Sequence, residues 1–298
     1  MEYKKLGSSD LNISRIGFGC MSLKSDQPDF ERLIDMAIEN GINYFDTADL
    51  YEKGLNEVML GKSFKGRRHK VIIGSKAGNE WRKDGSGWDW NPNKKYILKC
   101  ADESLRRLQT DYLDLFMLHG GTIEDDIDGS IEAFEILIQQ GKIRYYGLSS
   151  IRPNVIRYHI NHGKPVSVMT QYSLLDRRPE EATLDRLKEN NIGVLVRGSV
   201  ASGLLADKPS KPYLAHSEES VASAARAVAD VSGKGRTRAQ TAIQYILHHP
   251  AVTSAVVGMH TESQIAEAVR TISAKKLTEN EIEYLRNKIP AHKYLEHR

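Results

Sequence analysis

The chain has 298 residues, enough for one large α/β domain or two ordinary ones. Its 42 Lys and Arg against 39 Asp and Glu leave a formal net charge of +3, and no block of like charge stands out. That balance argues against a nucleic-acid tract or a membrane-binding stripe, and for a small-molecule partner.

Two cysteines, Cys20 and Cys100, are too few for a disulfide framework and form no Cys-x-x-Cys pair. The start, Met1-Glu2-Tyr3-Lys4-Lys5-Leu6, has no apolar signal core, and no apolar run approaches the roughly 18 residues of a membrane span. Together these predict a cytoplasmic protein with no membrane partner, a monomer or weak homo-oligomer.

After a hairpin cap around Gly7-Ser8-Ser9-Asp10, apolar runs alternate with amphipathic stretches. The predicted strands are Ile16 to Cys20, Ile42 to Asp46, Val71 to Lys76, Leu113 to His119, Ile143 to Ser149, Val166 to Gln171, Ile192 to Arg197 and Val252 to Gly258. The predicted helices are Asp29 to Asn40, Asn56 to Ser63, Asn93 to Leu108, Ser130 to Gln140, Arg152 to His162, Glu180 to Asn190, Thr237 to His248 and Thr261 to Ile272. Gly41 and Gly141 mark helix ends, and Pro153 marks a helix start. Thr278 to Lys288 is an extra C-terminal helix outside the repeat. Eight such units without a linker predict an α/β fold, a single (β/α)8 TIM barrel over residues 1–298. Gly78 to Pro92, with Trp81, Trp88 and Trp90, and Ser199 to Ser220 read as long loops on the rim that follows the strands.

In such a barrel the carboxyl ends of the strands share one rim. Asp46, Lys76 and His119 close three successive strands, and Tyr51 follows Asp46 directly. A phenol is a poor acid at neutral pH unless a cation favours the phenolate. An ammonium about 4 Å away offers roughly 4 kcal/mol at an effective dielectric of 20, enough for a shift of about two to three pH units. Asp46 would orient Lys76, and His119 would bond the reacting oxygen. The run Gly17-Phe18-Gly19-Cys20-Met21-Ser22 mimics a dinucleotide fingerprint, but no helix opens directly after it.

The whole chain resembles the aldo-keto reductase superfamily. The matching segments are Arg15-Ile16-Gly17-Phe18-Gly19-Cys20-Met21, Asn43-Tyr44-Phe45-Asp46-Thr47-Ala48, Asp111-Tyr112-Leu113-Asp114-Leu115 leading to His119, and Gly141-Lys142-Ile143-Arg144-Tyr145-Tyr146-Gly147-Leu148-Ser149-Ser150. The resemblance implies NADP-dependent reduction of an aldehyde or ketone, with Tyr51 as proton donor, Lys76 lowering its pKa, Asp46 paired with the lysine and His119 orienting the carbonyl. It implies cofactor contacts at Gly19, Cys20, Met21 and Asp46, and the nicotinamide carboxamide against Ser149, Ser150 and Gln171. Ser150 stands where relatives more often have Asn.

Arg197 stands where many relatives place a stacking aromatic residue; it is expected to stack while paired with a carboxylate, or to point at substrate. The pyrophosphate is expected along Gly198, Ser199, Val200, Gly203 and Leu204, and the adenosine end at Gly258, His260, Glu262 and Gln264, where Thr261 and Gln264 form a helix-capping pattern. Trp81, Trp88 and Trp90 are expected to wall the substrate pocket with His119, and Gly120-Gly121-Thr122 to widen it. No metal site is expected. The alternative is a nicotinamide-binding, redox-sensing regulatory subunit with weak turnover. A Schiff-base lyase using Lys76 is a third possibility.

Overall fold

The computed structural model describes residues 1–233 and 235–298. In chain order the strands are β1 (Tyr3–Lys5), β2 (Asn12–Ser14), β3 (Ile16–Gly19), β4 (Tyr44–Asp46), β5 (Ile72–Ala77), β6 (Asn79–Trp81), β7 (Trp88–Trp90), β8 (Leu113–His119), β9 (Ile143–Ser149), β10 (Ser167–Gln171), β11 (Gly193–Arg197) and β12 (Val252–Gly258). The helices are α1 (Phe30–Glu39), α2 (Leu55–Ser63), α3 (Lys94–Leu108), α4 (Ile127–Gln139), α5 (Pro153–His162), α6 (Thr183–Glu189), α7 (Glu218–Asp230), α8 (Arg238–His248), α9 (Glu262–Arg270) and α10 (Glu279–Lys288).

β3, β4, β5, β8, β9, β10, β11 and β12 close into a parallel barrel, in that order around the ring. These are the eight strands expected, with ends displaced by at most two residues. Most of their residues are buried, by the barrel interior or by the helical shell, which is why the strands read largely as apolar runs; Arg144 of β9 and Arg197 of β11 are exposed exceptions. The helices bury one stripe apiece; in α1 it is Phe30, Leu33, Ile34 and Ala37, the spacing of a single helical face.

Two elements depart from expectation. The segment with three tryptophans is a hairpin, β6 paired with β7, because Asp84-Gly85 supplies a turn between β-favouring ends. Helix α7 follows the second long loop, and its buried face is largely alanine (Val221, Ala224, Ala227, Val228), a weak apolar signal on a strong helix former.

The β1–β2 hairpin caps the barrel's amino-terminal end, as expected. Leu6, Leu11 and Ile13 pack into a cluster with Tyr44, Leu115, Met117, Val166, Met169 and Leu195. Inside the barrel Tyr44 lies against β5 so closely that a Cβ on Gly74 would sit 2.4 Å from its hydroxyl, so glycine there makes room for the ring.

Chemistry belongs to one end of such a barrel and stability to the other. Leu6→Ala should therefore cost about 2–5 kcal/mol of stability while kcat stays at the wild-type value. Denaturant melts and initial rates on the same preparation check this; a loss under about 0.5 kcal/mol would mean that the hairpin does not plug the core.

Candidate active site

Asp46 ends β4, Lys76 lies near the end of β5 and His119 ends β8, three neighbouring strands of the ring. Tyr51 reaches the same place from a one-turn segment, Tyr51–Gly54, where Glu52 (φ 48°) and Lys53 (φ 55°) adopt left-handed conformations that cost energy in a residue with a side chain. Side-chain ties hold the turn. Glu52 Oε2 accepts from the Ser25 amide at 2.8 Å, and Asn56 bridges Thr47 Oγ1 to the carbonyls of Cys20 and Leu23.

Lys76 is 1% exposed and Asp46 4%. The ammonium donates to Asp46 Oδ2 at 2.7 Å, to the Thr47 carbonyl at 2.8 Å and to the Tyr51 hydroxyl oxygen at 3.3 Å. Its three protons thus have three acceptors, which meets the main condition for burying an ion. Burial alone would lower the Lys76 pKa, but Asp46 and Tyr51 outweigh it and hold the pKa above the ordinary lysine value. An amine kept protonated is a poor nucleophile, which argues against the Schiff-base alternative.

For Tyr51 the net direction differs from expectation. Burial raises its pKa above the ordinary tyrosine value, and the charge of Lys76 opposes this without reversing it. The cation pulls in the expected direction, and loss of hydration is the larger effect.

His119 faces Tyr51 edge-on, ring centroids 6.1 Å apart. Burial first, then the charges of Lys76 and Arg197, depress its pKa to about 3. The ring is therefore neutral, and its enclosed Nδ1 has no hydrogen-bond partner.

These side chains line a cavity of about 650 Å³, within the roughly 300–1,000 Å³ range of small-molecule sites. Of the expected cofactor contacts, Gly19, Met21, Asp46, Ser149, Ser150, Arg197, Gly198 and Gly258 line it. Cys20 is fully buried beneath, offering its carbonyl to Asn56.

Gln171 lies outside the lining, and its amide is engaged: Nε2 donates to Asp176 and Tyr213, and Oε1 accepts from Arg197 at 2.8 Å. Arg197 is thus held by an amide, where a carboxylate partner was one expectation. Ser199, Val200, Gly203 and Leu204 also lie off the lining, in a tight turn whose Ala201, Gly203 and Leu204 amides already bond to loop carbonyls. Those amides are not free to approach an anion.

His260, Glu262 and Gln264 surround the start of α9. Thr261 caps it through the Gln264 amide, Gln264 Oε1 accepts from His260 N, and Glu262 pairs with Arg32 of α1.

On the other flank Trp88 and Trp90 line the cavity and Trp81 does not. The Trp81 indole donates to the Leu50 carbonyl at 3.3 Å and lies under Lys53. Gly120 does not widen the pocket, because the Trp90 ring fills the space: a Cβ on Gly120 would lie 3.1 Å from it. Asn79 and Arg152 are lining residues that sequence reasoning missed as site residues. Behind the tetrad, burial pushes Asp49 up to about 7, beside the buried Glu57–Arg107 pair. Among the described residues no group of three His, Cys, Asp or Glu is placed to hold a metal, and no helix is long and apolar enough to cross a membrane.

An unfolded chain protonates histidine near pH 6.5 and folded His119 only near 3, so in that window the unfolded state binds more protons and stability falls as pH falls. His119→Asn should lose less stability than wild type on acidification through this window, the gap widening by up to ~1.4 kcal/mol per pH unit. Melts at stepped pH check this, and parallel curves would show that the ring is not held neutral.

Comparison with known proteins identifies the family. The model of the aldo/keto reductase family matches residues 15–290. The uncharacterized oxidoreductase YqkF of Bacillus subtilis is 46% identical, with 100% of both chains covered. The holo form of aldo-keto reductase AKR11C1 from Bacillus halodurans superposes with a TM-score of 0.94 at 44% identity, over 100% of this chain and 99% of that one; its apo form gives 0.86. Aldo-keto reductase yakc [NADP(+)] of Schizosaccharomyces pombe is 31% identical, over 70% of this chain and 64% of that one. This chain is a TIM-barrel oxidoreductase of the aldo-keto reductase family, whose members work with nicotinamide cofactors.

Proposed function

We propose that the protein is an NADP-dependent carbonyl reductase in which Tyr51 is the proton donor. The observation that carries this is the Lys76 ammonium shared between Asp46 at 2.7 Å and the Tyr51 hydroxyl at 3.3 Å, with neutral His119 across the same cavity. A carbonyl oxygen seated between Tyr51 and His119 accepts the His119 Nε2 proton in a hydrogen bond, which orients and polarises it. Tyr51 then gives its phenolic proton to that oxygen as the carbonyl carbon is reduced, and Lys76 stabilises the phenolate left behind. Asp46 keeps Lys76 charged and aimed. A reduced nicotinamide, when bound, supplies the hydride.

The residues present fit such a cofactor in part. Gly19, Gly198 and Gly258 thin the cavity wall between β3, β11 and β12, beside Val256 and Arg197, which leaves room for a flat ring, and Ser149 and Ser150 also line the cavity. Gln171 would have to exchange a present partner to bond the carboxamide. No Lys or Arg lies in the segment Gly258 to Gln264, but α1 brings one to it: Arg32, paired with Glu262 at the helix start, is the group we assign to the additional phosphate of NADP. The yakc relative carries NADP(+) in its name, and the superposition is nearer to the holo than to the apo form of AKR11C1.

Tyr51→Phe should lower kcat for 4-nitrobenzaldehyde about 10²–10⁴-fold while NADPH still quenches intrinsic fluorescence with the wild-type midpoint. A wild-type rate in this variant would remove Tyr51 as the acid. Arg32→Ala should weaken NADPH binding about tenfold and leave NADH binding nearly unchanged; equal losses for both would move the phosphate site elsewhere.

A further inference from the structure

The cavity carries an unbalanced charge. Among the ionisable side chains that line it, Asp46 and Lys76 neutralise one another, and His119 is uncharged. Arg152 and Arg197 remain, and among the described residues neither is in a salt bridge: Arg152 donates to the Gly121 carbonyl and Arg197 to Gln171 Oε1. Arg197 is exposed and keeps its water, whereas Arg152 is half-buried and gives up part of its hydration, so an anion entering the cavity gains most at Arg152.

The two cations stand on different flanks. Arg197 ends β11 next to Gly198, on the side assigned above to the cofactor, whose own phosphates can answer its charge. Arg152 follows β9 through Ser150 and Ile151 and reaches Gly121, just beyond His119, on the flank built by Trp90 and Thr122. It is half-buried, its position is pinned by the Gly121 bond, and its other donors are free to grip a planar anion in the two-pronged manner of arginine.

We propose that Arg152 binds a carboxylate carried by the substrate, so that the preferred substrates are aldehydes or ketones with an acidic group remote from the reacting carbonyl. This rests on the carbonyl-reductase reading. The oxygen to be protonated lies between Tyr51 and His119, and the acidic end extends past Gly121 toward Arg152. Trp88, Trp90 and Ile151 border the path between them, which suits an apolar or aromatic spacer.

The test compares 4-carboxybenzaldehyde with its neutral ester, methyl 4-formylbenzoate, at saturating NADPH. The acid should be preferred about tenfold or more in kcat/KM, chiefly through a lower KM, and the preference should shrink as salt rises. Arg152→Gln should collapse the acid-to-ester ratio toward unity, and Arg152→Lys should keep part of it. Turnover of the ester as well as or better than the acid would overturn the inference, while leaving the reductase reading standing. An undiminished ratio in Arg152→Gln would remove Arg152 as the anchor. Reduction of neither compound would overturn the reductase reading and this inference with it. Should Arg152→Gln fail to fold, the wild-type ratio and its salt dependence decide alone.

Discussion

The site depends on one buried ion pair. Lys76 and Asp46 sit on adjacent strands whose register sets Asp46 against Gly74, so the lysine two residues further along β5 projects its ammonium across to the end of β4. Removing charges from water is costly, and the cost is met only when geometry and hydrogen bonding are nearly complete. Here the ammonium has Asp46, the Thr47 carbonyl and the Tyr51 hydroxyl, so Tyr51 belongs to the solvation shell of a buried ion. That is a physical reason for the left-handed turn after Tyr51. The chain accepts strain at Glu52 and Lys53 to leave the hydroxyl where it completes the shell, with Asn56 and Glu52 ties holding the turn. Burial, helped by the same cation and by Arg197, keeps His119 neutral and so able to donate from one nitrogen only.

The rest of the barrel makes that arrangement affordable. At the amino-terminal end the hairpin and interior clusters are apolar, while unpartnered polar atoms such as His119 Nδ1 and Asp49 Oδ1 lie at or just behind the site. Buried polar atoms without a partner also occur away from the site, at His159 of α5 and at Ser167 and Ser254 inside the barrel, so what sets the reactive end apart is its buried ion pair. Tyr44 links the two regions: its ring fills the barrel beside Gly74, and its hydroxyl donates to Asp46 at 3.4 Å.

Much of this was legible in the chain. Strands buried on both faces announce themselves as apolar runs, and polar residues at the ends of three such runs mark a rim. The tetrad was therefore readable from position alone. What escaped notice depended on partners distant in sequence. Trp81 and Trp90 look equivalent locally, but the Leu50 carbonyl draws one indole away while Asp125 and the space beside Gly120 seat the other in the cavity wall. Likewise no cation appears near Glu262 in sequence, yet α1 brings Arg32 to it. Helix α7 was hidden for a different reason: alanine favours helix but scarcely marks a buried face. The sign of the Tyr51 shift was missed because charge can be estimated from a list of neighbours, whereas dehydration requires the closed cavity.

The amide at position 171 accounts for the charge left at the cavity mouth. Gln171 and Arg197 are register partners on β10 and β11, and the Gln171 oxygen fixes the guanidinium at 2.8 Å without carrying charge. A carboxylate in that position would give the same geometry and cancel the cation. The nearest acid in the chain of contacts, Asp176, is one link further away and is already paired with Arg178. Orientation and neutralisation, which an ion pair would couple, are thus separated: Arg197 is positioned yet still charged. Arg152 is treated in the same way, because a neutral carbonyl at Gly121 holds it and no acid answers it among the described residues. Two guanidiniums fixed by neutral acceptors, one at the end of β11 and one just after β9, leave positive charge on that arc of the cavity rim, and such charge favours anions among the molecules that enter.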